Sequence, residues 1–65
     1  MKLMQYDGER VKIININNQV FRGTVTDYIF PEDNEPEEES IILRSTNGEL
    51  LEFYGSSIKT IEITE

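Results

Sequence analysis

The sequence predicts an all-β protein: one five-stranded, strongly bent antiparallel barrel with a short helical turn at its N-terminus. Three observations favour this fold. β-Branched and aromatic residues dominate the ordered stretches, and turn-forming residues interrupt them at intervals of about 8 to 12 residues. The length of 65 residues suits one small domain and is too short for two. We therefore treat residues 1–65 as a single domain with an acidic loop at 31–39.

The first part of the chain is predicted to form a helical turn and two strands. Residues 2–7 suit one helical turn that caps the barrel, and Gly8 ends it. The first strand is Arg10–Ile16, and the asparagine pair 17–18 makes a tight turn because asparagine tolerates positive φ. The second strand, Gln19–Phe30, is long enough to bend.

Gly23 lies inside the second strand, where a glycine usually marks a bulge or a sharp bend. Such a bend would let a five-stranded sheet curl onto itself. The acidic loop follows at residues 31–39, and Pro31 and Pro36 exclude ladder pairing through it. Ser40–Ser45 is the third strand.

Asn47-Gly48 is the strongest hairpin signal in the chain and leads into the fourth strand, Glu49–Tyr54. Gly55 begins a one-turn break, and Ile58–Thr64 is the fifth strand. Five short strands favour an SH3-like barrel. The alternative is an OB-fold, which usually carries a helix where this chain has only the short hairpin turn. The fold-defining turn positions are Asn18, Gly23, Asn47, Gly48 and Gly55.

Six of the thirteen carboxylates lie in one segment, Glu32–Glu39, and give the chain most of its net charge of −7. Without this segment seven acids face six bases, so the rest of the protein is nearly neutral. We interpret the segment as a solvated loop whose carboxylates are neither buried nor held. The alternatives are an acidic surface for a basic partner and a calcium site, for which the spacing and glycine turn of a calcium loop are missing.

The chain has no cysteine and no histidine. It therefore lacks disulfides, thiolate metal sites and the side chain most often used as a general base or metal ligand. No Gly-rich phosphate loop is present. These absences predict a non-catalytic protein without cofactor or metal. The sequence also shows no signal peptide or long apolar run, which predicts a cytoplasmic protein without a membrane partner.

A pattern of turn, apolar, glycine and aromatic residues covers the second strand and the turn before it. Asn18 is followed by Phe21 three residues later and by Gly23 two after that, and the pattern continues through Val25 to Tyr28. The spacing alternates apolar positions around a glycine within one long strand. It therefore marks the strand that is expected to bend.

A second pattern lies near the C-terminus, where Phe53-Tyr54-Gly55 precedes two serines and Ile58. The two patterns together resemble the two motifs of the Sm and Sm-like family, and the resemblance covers most of the chain. It implies an SH3-like barrel. It also implies rings in which the fourth strand of one subunit pairs with the fifth strand of the next.

The residues that cradle a base in RNA-binding members of that family are altered here. The family has an aspartate directly after the second-strand aromatic, an asparagine four residues later and an arginine in the second motif. This chain has Ile29, Asp33 (with Asn34 one place late) and Tyr54 at those positions. The RNA pocket therefore does not carry over residue by residue, although Tyr54 could stack on a base.

Basic side chains supply the candidate nucleic-acid contacts. Arg10 and Lys12 are two residues apart on one strand and point to the same face. With Arg22 on the neighbouring strand they form a candidate basic patch, and Tyr54 is the candidate stacking residue. The alternative is that these bases are scattered charges that keep the protein in solution.

Aromatic side chains supply the candidate protein-binding contacts. Tyr28, Phe30 and Tyr54 provide the exposed aromatics that a peptide groove needs, with Asp33 and Asn34 beside them in the loop. The alternative is that these aromatic rings pack at the rim of the barrel.

Two sets of apolar residues alternate along the strands. The predicted core consists of Val11, Ile13, Phe21, Val25, Leu43, Leu51, Phe53 and Ile61. The set out of phase with it consists of Ile14, Ile16, Ile42, Leu50 and Ile63. Outward apolar residues often mark a subunit contact, and the isoleucines at 58, 61 and 63 fit an exposed edge. Alternatively, the N-terminal turn covers this face through Leu3, Met4 and Tyr6.

These observations predict a small interaction module that assembles with copies of itself through its edge strands or binds a protein partner. One alternative is an RNA-binding ring, which the resemblance to the Sm-like family favours. The other is an acidic inhibitor that imitates nucleic acid and occupies the basic cleft of a nucleic-acid-binding protein.

Overall fold

A computed structural model describes residues 2–64, which form mainly one antiparallel β-sheet. The strands are β1 (Arg10–Asn15), β2 (Val20–Ile29), β3 (Ser40–Ser45), β4 (Leu50–Tyr54) and β5 (Ile58–Ile63). Three short 3-10 turns accompany them, at Leu3–Tyr6, Pro31–Asp33 and Gly55–Ser57. The predicted all-β class is confirmed, and each strand boundary lies within one residue of its predicted position. Across residues 2–64, no helix has the length and apolarity that a membrane crossing requires.

The sheet has the strand order β4-β3-β2-β1-β5, so β4 and β5 are its two edges. In a flat sheet these edges would lie about 19 Å apart, since neighbouring strands are about 4.8 Å apart. The three residues Gly55–Ser57 join them, and that connection reaches at most about 14 Å. The sheet must therefore curl strongly. The predicted closure into a barrel is not confirmed, because the sheet formed by residues 2–64 stays open between β4 and β5.

At Gly23 the backbones of β2 and β3 leave no room for a side chain. Gly23 pairs with Ser45 of β3 on one side and with Val11 of β1 on the other. A Cβ atom at this position would overlap the carbonyl oxygen of Arg44 and lie 2.8 Å from the Ser45 Cα. Only glycine fits there, since the obstruction is backbone and cannot rotate away. The strand bulge itself lies three residues later, at Thr26, where the register shifts between Val25 and Asp27.

Each of the two hairpin turns contains one residue with a positive φ. The β1–β2 turn has Asn18 at φ 63°, and the β3–β4 turn has Gly48 at φ 90°. Asparagine and glycine are the residues that adopt the left-handed region at least cost. Asn47 completes the second turn, because its side-chain oxygen accepts a hydrogen bond from the Glu49 N–H at 3.1 Å. Both predicted turns are confirmed.

The concave side of the sheet encloses a small core. Of the eight predicted core residues, Val11, Ile13, Val25, Leu43 and Phe53 are buried, and Phe21, Leu51 and Ile61 pack against them half-buried. The rings of Phe21 and Phe53 meet edge-to-face with their centroids 5.1 Å apart. The prediction missed Leu3, Ile41 and Ile58, which are also buried.

Two predictions about the outward face are wrong: that the N-terminal turn covers it, and that Ile58 lies at an exposed edge. Leu3 is fully buried in the core, whereas Met4 is 51% exposed, so the turn closes the core and does not cover the opposite face. Ile58 is only 6% exposed and belongs to the core. The register shift against β1 between Thr60 and Ile58 puts it on the same side as Ile61, although the two are three residues apart. Of the three isoleucines assigned to the edge, Ile63 alone is largely exposed, at 53%.

Replacement of Gly23 by alanine should destabilise the fold, because the new Cβ must push the Arg44–Ser45 backbone away. We expect a loss of about 2–3 kcal/mol of unfolding free energy and a fall in Tm of roughly 10 °C or more. Thermal and urea unfolding followed by circular dichroism measure both. Gly55→Ala is the matched control, since its Cβ would meet nothing closer than 3.7 Å and the stability should change by less than about 1 kcal/mol. Equal stabilities of the two variants would contradict the role assigned to Gly23.

Candidate functional site

The acidic loop, residues 31–39, joins β2 to β3 and begins with the 3-10 turn Pro31–Asp33. Asn34 closes it. The Asn34 Nδ2 donates to the carbonyl oxygen of Glu38 at 2.8 Å and to the Ser40 Oγ at 2.9 Å. One amide side chain therefore ties the middle of the loop to its C-terminal end and to the start of β3.

Ser40 links the loop to the edge strand β4. Its side chain is fully buried, and its hydroxyl donates to the Glu52 Oε2 at 2.8 Å while accepting from Asn34. Buried hydroxyls are costly without partners, and this one has a partner on each side. Among the described residues every buried side-chain nitrogen and oxygen is hydrogen-bonded.

Glu39 connects three parts of the chain that are distant in sequence. Its Oε1 accepts the backbone N–H of Leu3 at 3.2 Å and the hydroxyl of Tyr28 at 2.9 Å. Its carbonyl oxygen accepts the N–H of Gly55 at 3.2 Å. The carboxylate thereby fastens the N-terminal turn to the sheet and positions Leu3 over the core.

Glu38 holds the 3-10 turn between β4 and β5. Its carboxylate accepts the backbone N–H of Ser56 at 2.5 Å and the Ser56 hydroxyl at 3.1 Å. A carboxylate at the start of a helical turn satisfies N–H groups that have no partner within the turn. Glu38 therefore stabilises the short connection that forces the sheet to curl.

The expectation that the loop carboxylates are held by nothing is wrong for these two. Glu38 and Glu39 are half-buried and serve as internal hydrogen-bond acceptors. Hydrogen bonds of Glu39 tie the loop to the N-terminal turn, and those of Glu38 tie it to the turn Gly55–Ser57. Asn34 reaches β4 through Ser40. The acids that remain exposed to solvent are Glu32, Asp33, Glu35 and Glu37.

The aromatic residues predicted to bind a partner do not lie on one face. Tyr28 and Phe30 meet edge-to-face with ring centroids 5.1 Å apart. The register places Tyr28 opposite Ile41 on the core side of the sheet, whereas Tyr54 pairs with Ser40 and points to the other side. Phe30 is 46% exposed. The predicted loop contacts divide in the same way, since Asp33 is exposed and Asn34 is used inside the loop.

The basic residues come together in a way that the sequence showed only in part. Arg10 and Arg22 line an open depression of about 500 Å³ with Arg44, which the sequence analysis did not select. Lys12 forms an ion pair with Glu62, with 3.9 Å between Nζ and Oε1, and does not line the depression. We refer to the cavity bounded by Arg10, Arg22 and Arg44 as the arginine depression.

Strand register explains why Arg44 belongs to this group. Thr24 of β2 is paired with Arg10 of β1 on one side and with Arg44 of β3 on the other. Paired residues point to the same face of a sheet, so both arginines flank Thr24. The alternation of side chains along β3 predicts that Arg44, next to the core residue Leu43, points outward. Its position opposite Thr24 could not be predicted in this way, because that register depends on the bulge at Thr26.

Comparisons with known proteins give no further guide to this site. No protein-family model, no curated protein and no solved structure matches the chain. The resemblance to Sm-like proteins therefore stays a prediction. Among residues 2–64, no three carboxylates are grouped closely enough to hold a metal ion.

The hydroxyl of Tyr28 should make the stability depend on alkaline pH. Its partial burial, the hydrogen bond to Glu39 and the charges of Glu39 and Glu32 all raise its pKa above 10.0. The folded protein thus holds this proton more tightly than the unfolded chain. The contribution is complete below about pH 10, the ordinary tyrosine value, and is lost as the pH rises through the higher folded pKa.

Urea unfolding between neutral pH and about pH 11 measures this effect. Wild type should lose more stability above pH 10 than Tyr28→Phe, which has no hydroxyl to ionise. Tyr54→Phe is the control for the loss of one tyrosine hydroxyl. Identical pH profiles for wild type and Tyr28→Phe would show that the Tyr28–Glu39 contact does not contribute.

Removal of the Glu39 carboxylate should weaken the fold, because it frees the Leu3 N–H and the Tyr28 hydroxyl at once. We expect Glu39→Ala to lower the unfolding free energy by about 1–2 kcal/mol. Glu37→Ala removes the same charge from an exposed position of the same loop and should change stability by less than about 0.5 kcal/mol. Urea unfolding of both variants at neutral pH separates a structural carboxylate from general charge repulsion. Equal effects would favour charge repulsion.

Proposed function

We propose that this chain is a non-catalytic self-assembly module that joins to copies of itself through the edges of its sheet. One observation carries the proposal. Within residues 2–64, β4 is paired only with β3 and β5 only with β1, so one side of each strand has no partner, and each strand carries a large exposed apolar side chain. Leu50 of β4 is 67% exposed and Ile63 of β5 is 53% exposed.

The edges offer hydrogen-bonding groups as well as apolar surface. The Thr64 N–H donates to the Arg10 carbonyl at 2.8 Å, so by the alternation of an antiparallel ladder the N–H of Ile63 points away from β1. The Ser45 N–H donates to the Glu49 carbonyl at 2.8 Å, so the N–H of Leu50 points away from β3. An incoming strand finds unpaired groups on both edges.

The two edges differ in their protection against pairing. Edge strands usually carry lysine, proline or a bulge that discourages a second strand. β4 contains neither lysine nor proline. In β5 the one lysine, Lys59, coincides with the register shift against β1, so that edge is protected at its N-terminal end and open towards Ile63. Pairing of β4 in one copy with β5 in the next is a head-to-tail contact, which closes into a ring when the rotation between copies permits. This is the arrangement that the resemblance to Sm-like proteins implies.

The two alternatives have less support from the geometry. An acidic inhibitor needs carboxylates displayed over a whole face of the protein. Here Glu38 and Glu39 accept hydrogen bonds inside the protein, and the exposed acids of the segment all lie in one loop. RNA binding in the manner of Sm-like proteins needs the pocket residues that Ile29 and Tyr54 replace, and Asn34 is bonded to Glu38 and Ser40.

Self-assembly is tested by light scattering over a range of concentrations. Wild type should form a defined oligomer, and Ile63→Pro should dissociate it. Proline at position 63 removes an N–H that points away from β1, and the Thr64 hydrogen bond to β1 remains. Edge strands tolerate proline at positions whose N–H faces outward. Ile63→Thr is the matched control, since it removes the apolar side chain but keeps the N–H, and it should weaken assembly less.

The folded state of each variant is checked by circular dichroism, so that loss of assembly is not confused with unfolding. A wild-type protein that remains monomeric at the highest attainable concentration would overturn the proposal. So would an oligomer whose mass is unchanged by Ile63→Pro.

A further inference from the structure

The arginine depression concentrates positive charge in a protein whose net charge is −7. Three of the six bases of the chain line one open cavity of about 500 Å³. Within residues 2–64, no aspartate or glutamate lines it. The one ion pair formed by residues 2–64 is between Lys12 and Glu62, so the three guanidinium groups have no carboxylate partner in that part of the chain.

Three different strands deliver the three arginines. Arg10 and Arg44 stand on either side of Thr24, so their Cα atoms are about 10 Å apart, two interstrand spacings. Arg22 lies two residues before Thr24 on the same strand and face, about 7 Å away. Arginine side chains are long enough to meet across such distances. All three arginines therefore border one volume, each from a different strand.

Hydroxyl groups complete the polar lining. Ser45, Thr46 and Thr64 border the depression together with Thr24. The Thr46 backbone is fixed by its N–H bond to the Arg22 carbonyl at 3.1 Å, and Thr64 by its bond to Arg10. The backbone of the rim is therefore ordered, and it is the exposed arginine side chains that lose conformational freedom when an anion binds.

We propose that the arginine depression binds a small molecule that carries several phosphate groups. Guanidinium groups pair with phosphate oxygens through two parallel hydrogen bonds, and a tetrahedral phosphate can accept from three directions, unlike a planar carboxylate. The volume lies within the range of small-molecule sites and exceeds what a single ion needs. No aromatic side chain lines the cavity, so recognition rests on the phosphates and not on stacking of a base.

The arginines of this site lie on the three inner strands β1, β2 and β3, whereas assembly uses β4 and β5. The two regions adjoin, since Thr64 on the rim follows β5 and Arg44 is paired with Leu50 of β4. The two tests have different readouts, the mass of the protein and the binding of an anion, so the two proposals can fail independently. Binding is measured on the wild-type chain in whatever oligomeric state it adopts.

The test is calorimetric titration of the protein with inorganic tripolyphosphate at low salt, supported by amide NMR shifts. We expect saturable binding, with shifts at Gly23, Thr24 and Thr46. Arg44→Gln should weaken binding about tenfold or more, since one charge-assisted contact of at least about 1.5 kcal/mol is lost. Arg44→Lys keeps the charge but loses the paired N–H donors of the guanidinium group, so its affinity for tripolyphosphate should lie between those of wild type and Arg44→Gln.

Two matched variants serve as controls. Lys59→Gln removes one positive charge at a side chain that contacts Asn18, and Lys12→Gln removes one near the depression but outside its lining. Both should bind tripolyphosphate within about twofold of wild type. An equal loss in these variants would show diffuse attraction and overturn the proposed site.

Two other probes test the chemistry of the ligand. Citrate carries several carboxylates, and binding of citrate as tight as that of tripolyphosphate would overturn the preference for phosphate. An oligouridylate whose affinity rises with its length and exceeds that of tripolyphosphate would overturn a small-molecule site in favour of an RNA-binding surface. Absence of saturable tripolyphosphate binding at low salt would overturn the proposal altogether.

Discussion

Three residues, Gly55–Ser57, connect the two edge strands of a five-stranded sheet, and the sharp curl that this connection demands governs the rest of the structure. The curl presses the Arg44–Ser45 backbone against Gly23, where no side chain would fit. It also produces the concave side that encloses the core. Glu38 stabilises the connection by accepting two hydrogen bonds from Ser56, so part of the acidic loop helps to maintain the curl.

Charge in this protein is divided between structural and exposed roles. Glu39 fastens the N-terminal turn to β2 through Leu3 and Tyr28, while four other acids of the same loop face solvent. The arginine depression gathers Arg22 at the start of β2 and Arg44 at the end of β3. The acidic loop joins the opposite ends of these two strands, so the charges are separated by roughly the length of the strands. The net charge therefore describes neither end of the molecule.

A core of eight buried apolar side chains is small, and a domain of this size buries only about 60% of its unfolded surface. Pairing between edge strands would add hydrogen bonds and cover Leu50 and Ile63 without enlarging the chain. The three arginines of the depression lie on the inner strands, which such pairing does not use. Assembly and anion binding thus use different physical resources of one sheet: unpaired backbone groups at its edges and clustered guanidinium groups on its inner strands.

Sequence alone determined the features that depend on neighbouring residues. Strand alternation identified Val11, Ile13, Val25, Leu43 and Phe53 as core, and the residues that tolerate positive φ identified the turns at Asn18 and Gly48. Tertiary structure decided which distant residues meet. The partners of Glu39 lie 36 and 11 residues away, and Arg44 joins Arg10 only through a register shifted by the bulge at Thr26. Periodicity shows the face on which a side chain lies, but register arises from the packing of the whole sheet, so the site could not be read from spacing.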